Sequence, residues 1–295
     1  MHWMIRLQPW RSLWLAVFAL SACTSIPQQA ERVSTADALA AQHDWQRVSL
    51  STGLGPMVAY LPRLGTSAGL ATGAPLAHAV TVYIEGDGLA WLDAETPSDD
   101  PTPLNPLALR LALAQPGGQA AYLARPCQFV MQASQQMPFC THPQAWTSHR
   151  FAAEVIAANH QALDQIKARL GADRITLVGY SGGGAVAALL AAERHDVLRL
   201  ITVAGNLDHA AWTDLHRISP LSGSLNPADR TEQLEGLPQV HWVGAQDDNV
   251  PESVAQGFAQ RFRASPRPEV RVVPQATHAT GWVTQWGSLY ARSWP

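Results

Sequence analysis

Three cysteines in 295 residues are too few for a disulfide scaffold, and 20 Lys+Arg against 23 Asp+Glu leave no basic stripe able to neutralise a phosphate backbone. A nucleic-acid partner is therefore not expected. Long apolar runs are scarce too: the run from Leu13 to Leu20 falls far short of the ~20 residues a bilayer-spanning helix needs. P-loop lysine, HExxH and paired CxxC patterns are missing, and in Gly86-Asp87-Gly88 the third glycine of a dinucleotide fingerprint is replaced by Trp91, which is too bulky where helix and strand must approach. No cofactor and no metal are expected. What is present is 47% hydrophobic and 15% charged residues, enough for one large globular domain.

The three cysteines divide into two groups. Cys23 follows Arg6, Arg11, the short apolar run and the small residues Ser21 and Ala22, the layout of a secretory signal peptide. Leu20-Ser21-Ala22-Cys23 resembles a bacterial lipobox, which implies removal of residues 1–22, acylation of Cys23 and a membrane-held protein. Thr24 in place of Asp implies the outer membrane, with the protein facing the periplasm. Residues 23–44, polar and Ala-rich, read as a tether, and 45–295 as the folded domain. Export to an oxidising compartment would let Cys127 and Cys140 pair, and closing their short loop contributes roughly 3 kcal/mol in the chain-entropy model.

From Trp45 onward, short apolar runs alternate with Ala/Leu-rich segments of helical period, the pattern of a mostly parallel sheet covered by helices. Strands are predicted at Gln46–Leu50, Met57–Leu61, Val80–Ile84, Ala120–Leu123, Ile175–Val178, Leu200–Val203, Val240–Val243 and Val270–Val273. Helices are predicted at Pro106–Ala114, His149–Leu170, Gly182–Arg194, Ala228–Glu235, Ser253–Arg263 and Trp282–Ala291. Two long connections remain, Gly86 to Pro103 and Pro126 to Thr147; the second holds both mid-chain cysteines.

Ile175 to Gly184 reads strand, then Gly179-Tyr180-Ser181-Gly182-Gly183, then an Ala-rich helix, which matches the G-x-S-x-G nucleophile elbow in its required context. A sharp strand-to-helix turn lifts the Ser181 hydroxyl out of the sheet and leaves the N–H of Gly182 at a helix N-terminus, facing a developing oxyanion. A serine needs a base, and the base an acid. Val270 to His278 is a strand followed by a loop ending in histidine, and Val240 to Pro251 is a strand followed by a turn with Asp247 and Asp248.

With these three sites at strand ends in the order Ser181, Asp247, His278, and a glycine-bearing turn (Gly86-Asp87-Gly88) after the third strand, the chain resembles an α/β-hydrolase over essentially its whole mature length. The resemblance implies an eight-stranded, mostly parallel sheet flanked by helices, with a small cap or none in Asn206–Pro238. G-x-x-D-x-x-V-P favours Asp247 over Asp248, and Asp208 after the preceding strand is the other alternative. The second oxyanion donor is expected after the third strand, from the N–H of Asp87 or of Gly88; Glu85 stands where a histidine is common in the family. Two acids there would disfavour anionic substrates unless they are held in hydrogen bonds away from the pocket. Trp91, Trp146 and Trp212 either line an acyl pocket or cover the core. The expected activity is hydrolysis of a small-molecule carboxylic ester, with thioester and amide as variants. A non-catalytic envelope lipoprotein using the fold as a binding or scaffolding module is the alternative.

Overall fold

The computed structural model describes residues 26–63 and 78–294, so the signal segment and Cys23 lie outside the described residues. Eight strands form one sheet: β1 (Trp45–Thr52), β2 (Gly55–Pro62), β3 (Ala79–Ile84), β4 (Gln119–Leu123), β5 (Arg174–Tyr180), β6 (Val197–Val203), β7 (Gln239–Gly244) and β8 (Glu269–Val273). Their order is β1-β2-β4-β3-β5-β6-β7-β8, with β2 antiparallel to both β1 and β4 and the other pairings parallel. Each strand centres on an apolar run predicted from the sequence. The central strands are apolar on both faces because helices cover both: Val82 and Ile84 on one side and Tyr83 on the other are all fully buried.

The helices are α1 (Gln29–Ala41), α2 (Leu107–Leu113), α3 (Ala133–Gln136), α4 (Ala153–Leu170), α5 (Gly182–Glu193), α6 (His209–His216), α7 (Glu252–Gln260) and α8 (Trp286–Arg292). Helix α5 is buried on nearly every side, so its interior is built from Ala, Leu and Val, and three glycines open it. Helix α4 ends at Gly171 in the left-handed conformation that a C-terminal cap requires.

Three expectations need correction. The stretch read as a tether contains α1, whose Val33, Ala36 and Ala40 are buried at helical spacing. Its Arg32 is 7% exposed and bonds to Asp100 and to the Thr102 carbonyl, while Gln29 Nε2 donates to the Val130 carbonyl, so the helix fastens both long connections. Second, Ala228–Glu235 is not a helix: a 3-10 turn at Pro227–Asp229 is followed by further turns, since Gly236 and Pro238 leave little chain before β7. Third, α6 was not foreseen; it forms because Asp208 caps it, its Oδ1 accepting the Ala211 N–H at 3.2 Å.

Crossing β3 to β4 runs one way along the sheet and β5 to β6 the other, so the chain diverges between β3 and β5. In open α/β sheets the crevice at such a switch point is where ligands bind. The loop after β3 and the turn after β5 both lie there.

Candidate active site

Ser181 sits between β5 and α5 with φ 51° and ψ −122°, a region that costs a non-glycine residue of order 1–3 kcal/mol. The backbone is held there by the Ser181 N–H donating to the Val203 carbonyl and by the Ser181 carbonyl accepting from Gly184 and Asn206. Glycine at 183 is required by close approach, because a Cβ would overlap the carbonyl oxygens of Ile84 and Glu85 at the end of β3. The elbow is therefore pressed against the loop after β3.

His278 reaches the serine from the loop after β8. Its Nε2 lies 2.9 Å from Ser181 Oγ, and its Nδ1 lies 2.9 Å from Asp247 Oδ2. A carboxylate only accepts, so Nδ1 carries the hydrogen and Nε2 is left to accept from the serine hydroxyl. The Asp247 side chain is fully buried, and its Oδ1 accepts the N–H groups of Asn249 at 2.9 Å and Val250 at 2.8 Å. Trp282, also fully buried, donates Nε1 to the carbonyls of Thr277 and His278, and Tyr180 stacks beside the imidazole with ring centres 5.5 Å apart. The ring is thus fixed from both ends while Ser181 stays partly open to solvent.

Of the three acids considered, the structure brings Asp247 to the histidine. Asp248 is exposed in the adjoining turn. Asp208 is engaged elsewhere, capping α6 and bonding Asn226 Nδ2 at 2.9 Å and Arg261 at 2.7 Å.

The loop after β3 brings Asp87 beside Gly182. Among the described residues, no group accepts from the N–H of either one. Gly88, the alternative donor, has φ 66°, and a Cβ there would overlap the Pro101 carbonyl. Asp87 is not a bare charge: Oδ1 accepts from Arg125 Nη1 at 3.2 Å and Oδ2 from Arg150 Nη1. Burial alone would raise its pKa, but Arg150 and Arg125 outweigh burial and hold it below the ordinary carboxylate range. Glu85 points inward, 1% exposed, its Oε1 accepting from the N–H groups of Gly86 at 3.0 Å and Ala108 at 3.4 Å. Burial pushes its pKa up to about 7. The expected repulsion of anionic substrates therefore loses its basis, since one acid is ion-paired and the other enclosed.

Arg125 and Arg150 carry no local motif and were not singled out from the sequence. Cys127 and Cys140 form the expected disulfide, in the connection that also carries Arg125 and Gln128. The three tryptophans differ. Trp146 is 7% exposed and bonds the Ser98 carbonyl, a core position; Trp91 is 41% exposed; Trp212 bridges α6 to the acid-bearing turn through the Asn249 carbonyl at 2.7 Å. Among the described residues, no cluster of three or more His, Cys, Asp or Glu could hold a metal, and no helix is long and apolar enough to cross a membrane.

A family profile described as the alpha/beta hydrolase fold matches residues 136–222, which include the elbow. No curated protein matches the sequence. Among solved structures, a protein assigned as a dienelactone hydrolase, from Klebsiella pneumoniae, is 20% identical with a TM-score of 0.55, covering 85% of this chain and 97% of its own. An esterase from Pyrococcus furiosus is 14% identical, TM-score 0.54, covering 84% and 91%. A serine hydrolase without lid from Xanthomonas campestris is 13% identical, TM-score 0.51, covering 85% and 93%. At these identities the likeness is one of fold.

Proposed function

We propose that this chain, whose fold is that of the α/β-hydrolases, is a serine hydrolase that cleaves small-molecule carboxylic esters through an acyl-enzyme, and that it is anchored at the bacterial envelope through acylated Cys23. The observation that carries the enzymatic reading is the unbroken hydrogen-bonded line from Ser181 through His278 to Asp247, with both links at 2.9 Å and the acid fully buried. Nucleophile, base and orienting acid stand in the order and geometry that acyl transfer needs.

The chemistry proceeds as follows. Ser181 Oγ attacks the acyl carbonyl as its proton passes to His278 Nε2, and the carbonyl oxygen becomes an oxyanion held by the N–H groups of Gly182 and Asp87. The helix α5 N-terminus favours that negative charge. Asp247 stabilises the imidazolium formed. Collapse expels the alcohol, protonated by His278, and leaves an acyl-serine; water, deprotonated by the same histidine, attacks it and releases the carboxylic acid. Ester hydrolysis is the default reading, with thioester and amide hydrolysis as close variants that the triad does not distinguish. The segment 206–238 contributes α6 and turns, in keeping with a small cap and an open site.

Reaction of the purified full-length chain with a fluorophosphonate probe tests the reading. Labelling at Ser181, lost in Ser181→Ala, is the expected outcome. An unlabelled but folded wild-type chain would mean a non-catalytic envelope module instead. For the anchor, metabolic labelling with a fatty-acid analogue is expected to vanish in Cys23→Ala, and label that persists refutes it.

A further inference from the structure

The side chain of Asp87 occupies an unusual place. It is packed against Gly182, where a Cβ would overlap its Oδ1, so the carboxylate of one donor residue lies directly against the other. A carboxylate at that position opposes the negative charge that forms on the substrate, unless a cation balances it. Two do. Arg125 and Arg150, 6% and 7% exposed as side chains, each bond one of its oxygens. They come from opposite ends of the long connection between β4 and α4, which the Cys127–Cys140 disulfide braces. Arg125 also bonds the Arg150 carbonyl, Arg150 Nε donates to the Thr147 carbonyl at 2.6 Å, and Gln128 Nε2 donates to the Gly86 carbonyl at 3.0 Å. Phe151 lies under one guanidinium at 5.3 Å and Trp212 under the other at 6.0 Å.

We propose that Arg125 and Arg150 are positioning residues of the oxyanion site, which fix the Asp87 turn opposite Gly182 and neutralise its carboxylate, so that the backbone N–H can serve without charge opposing the transition state. The proposal rests on the serine-hydrolase reading above. It separates the charge of this cluster from its role as a mere tie between loops. A tie broken at Arg150 stays broken when the Asp87 carboxylate is removed as well, whereas neutralisation matters only while the carboxylate is there.

The test is steady-state kinetics of the full-length chain on a p-nitrophenyl ester, with active sites counted by fluorophosphonate and folding checked by thermal melting. Arg150→Gln is expected to lower kcat by roughly 10- to 100-fold with little change in KM, since the interaction is made chiefly with the transition state. Arg150→Lys, which keeps the charge, is expected to recover most of that loss. The Asp87→Asn/Arg150→Gln double variant is expected to recover to within about 3-fold of Asp87→Asn alone and well above Arg150→Gln alone, a rescue that a broken tie does not give. A double variant no faster than Arg150→Gln alone, or a loss confined to KM, would overturn the proposal while leaving the labelled enzyme intact. A wild-type chain that Ser181 probes fail to label would remove the hydrolase reading and this proposal together.

Discussion

Replacing Glu85 by Gln should make the protein more stable, and increasingly so as pH rises. Glu85 is buried at the end of β3, beside Tyr122, and its carboxyl titrates at about 7 instead of 4.5 because burial disfavours the charged form. An acid whose folded pKa is raised contributes fully below the unfolded value, and that contribution is lost as pH climbs through the folded one. Between pH 4.5 and about 7 the unfolded chain releases this proton and the folded chain keeps it, costing about 1.4 kcal/mol per pH unit and about 3 kcal/mol in all. Glutamine keeps the Oε1 acceptor for the N–H groups of Gly86 and Ala108, and never titrates. Thermal unfolding followed by circular dichroism from pH 5 to pH 9, at fixed ionic strength, should show the variant's Tm advantage widening to about 6–10 °C at the alkaline end. A gap that stays constant with pH, or is widest at pH 5, would refute the assignment of a buried, neutral Glu85.

Asp208→Ala should cost about 1–3 kcal/mol of stability through loss of the α6 cap and the Arg261 pair, yet leave fluorophosphonate labelling of Ser181 in place, read by melting and by labelling rate. Asp247→Asn, in contrast, should keep the fold and reduce kcat by on the order of 10⁴, because the amide can donate and so favours the wrong imidazole tautomer; a single-turnover assay measures it. Reducing Cys127–Cys140, or replacing both with serine, should lower stability by roughly 3 kcal/mol in denaturant titrations.

The sheet was legible because its central strands are continuous apolar runs buried on both faces, and the elbow because glycine, serine and an Ala-rich helix stand in one short segment. Asp247 and His278 were legible from their places after strands, since each lies a few residues past a strand end. What stayed hidden depends on partners far away in the chain. Arg125 and Arg150 gain their meaning from Asp87, 38 and 63 residues away, and nothing next to either one marks it. Helix α1 hides for a different reason. Its buried face is small, two alanines and a valine, and its fourth inward residue is Arg32, whose burial is made possible by Asp100 and the Thr102 carbonyl. Composition alone reads such a face as solvated.

Helix α1 also sets a distance. A free tether over residues 23–44 would let the domain roam about 70 Å from a lipid surface at full extension. With α1 packed from Gln29, only five residues, 24–28, separate the proposed acylated cysteine from the folded body, a leash of about 17 Å. A protein held so closely, if Cys23 is acylated as proposed, would not turn freely. Under that proposal the Gln29 end of α1 and the two connections the helix fastens would stay near the headgroups.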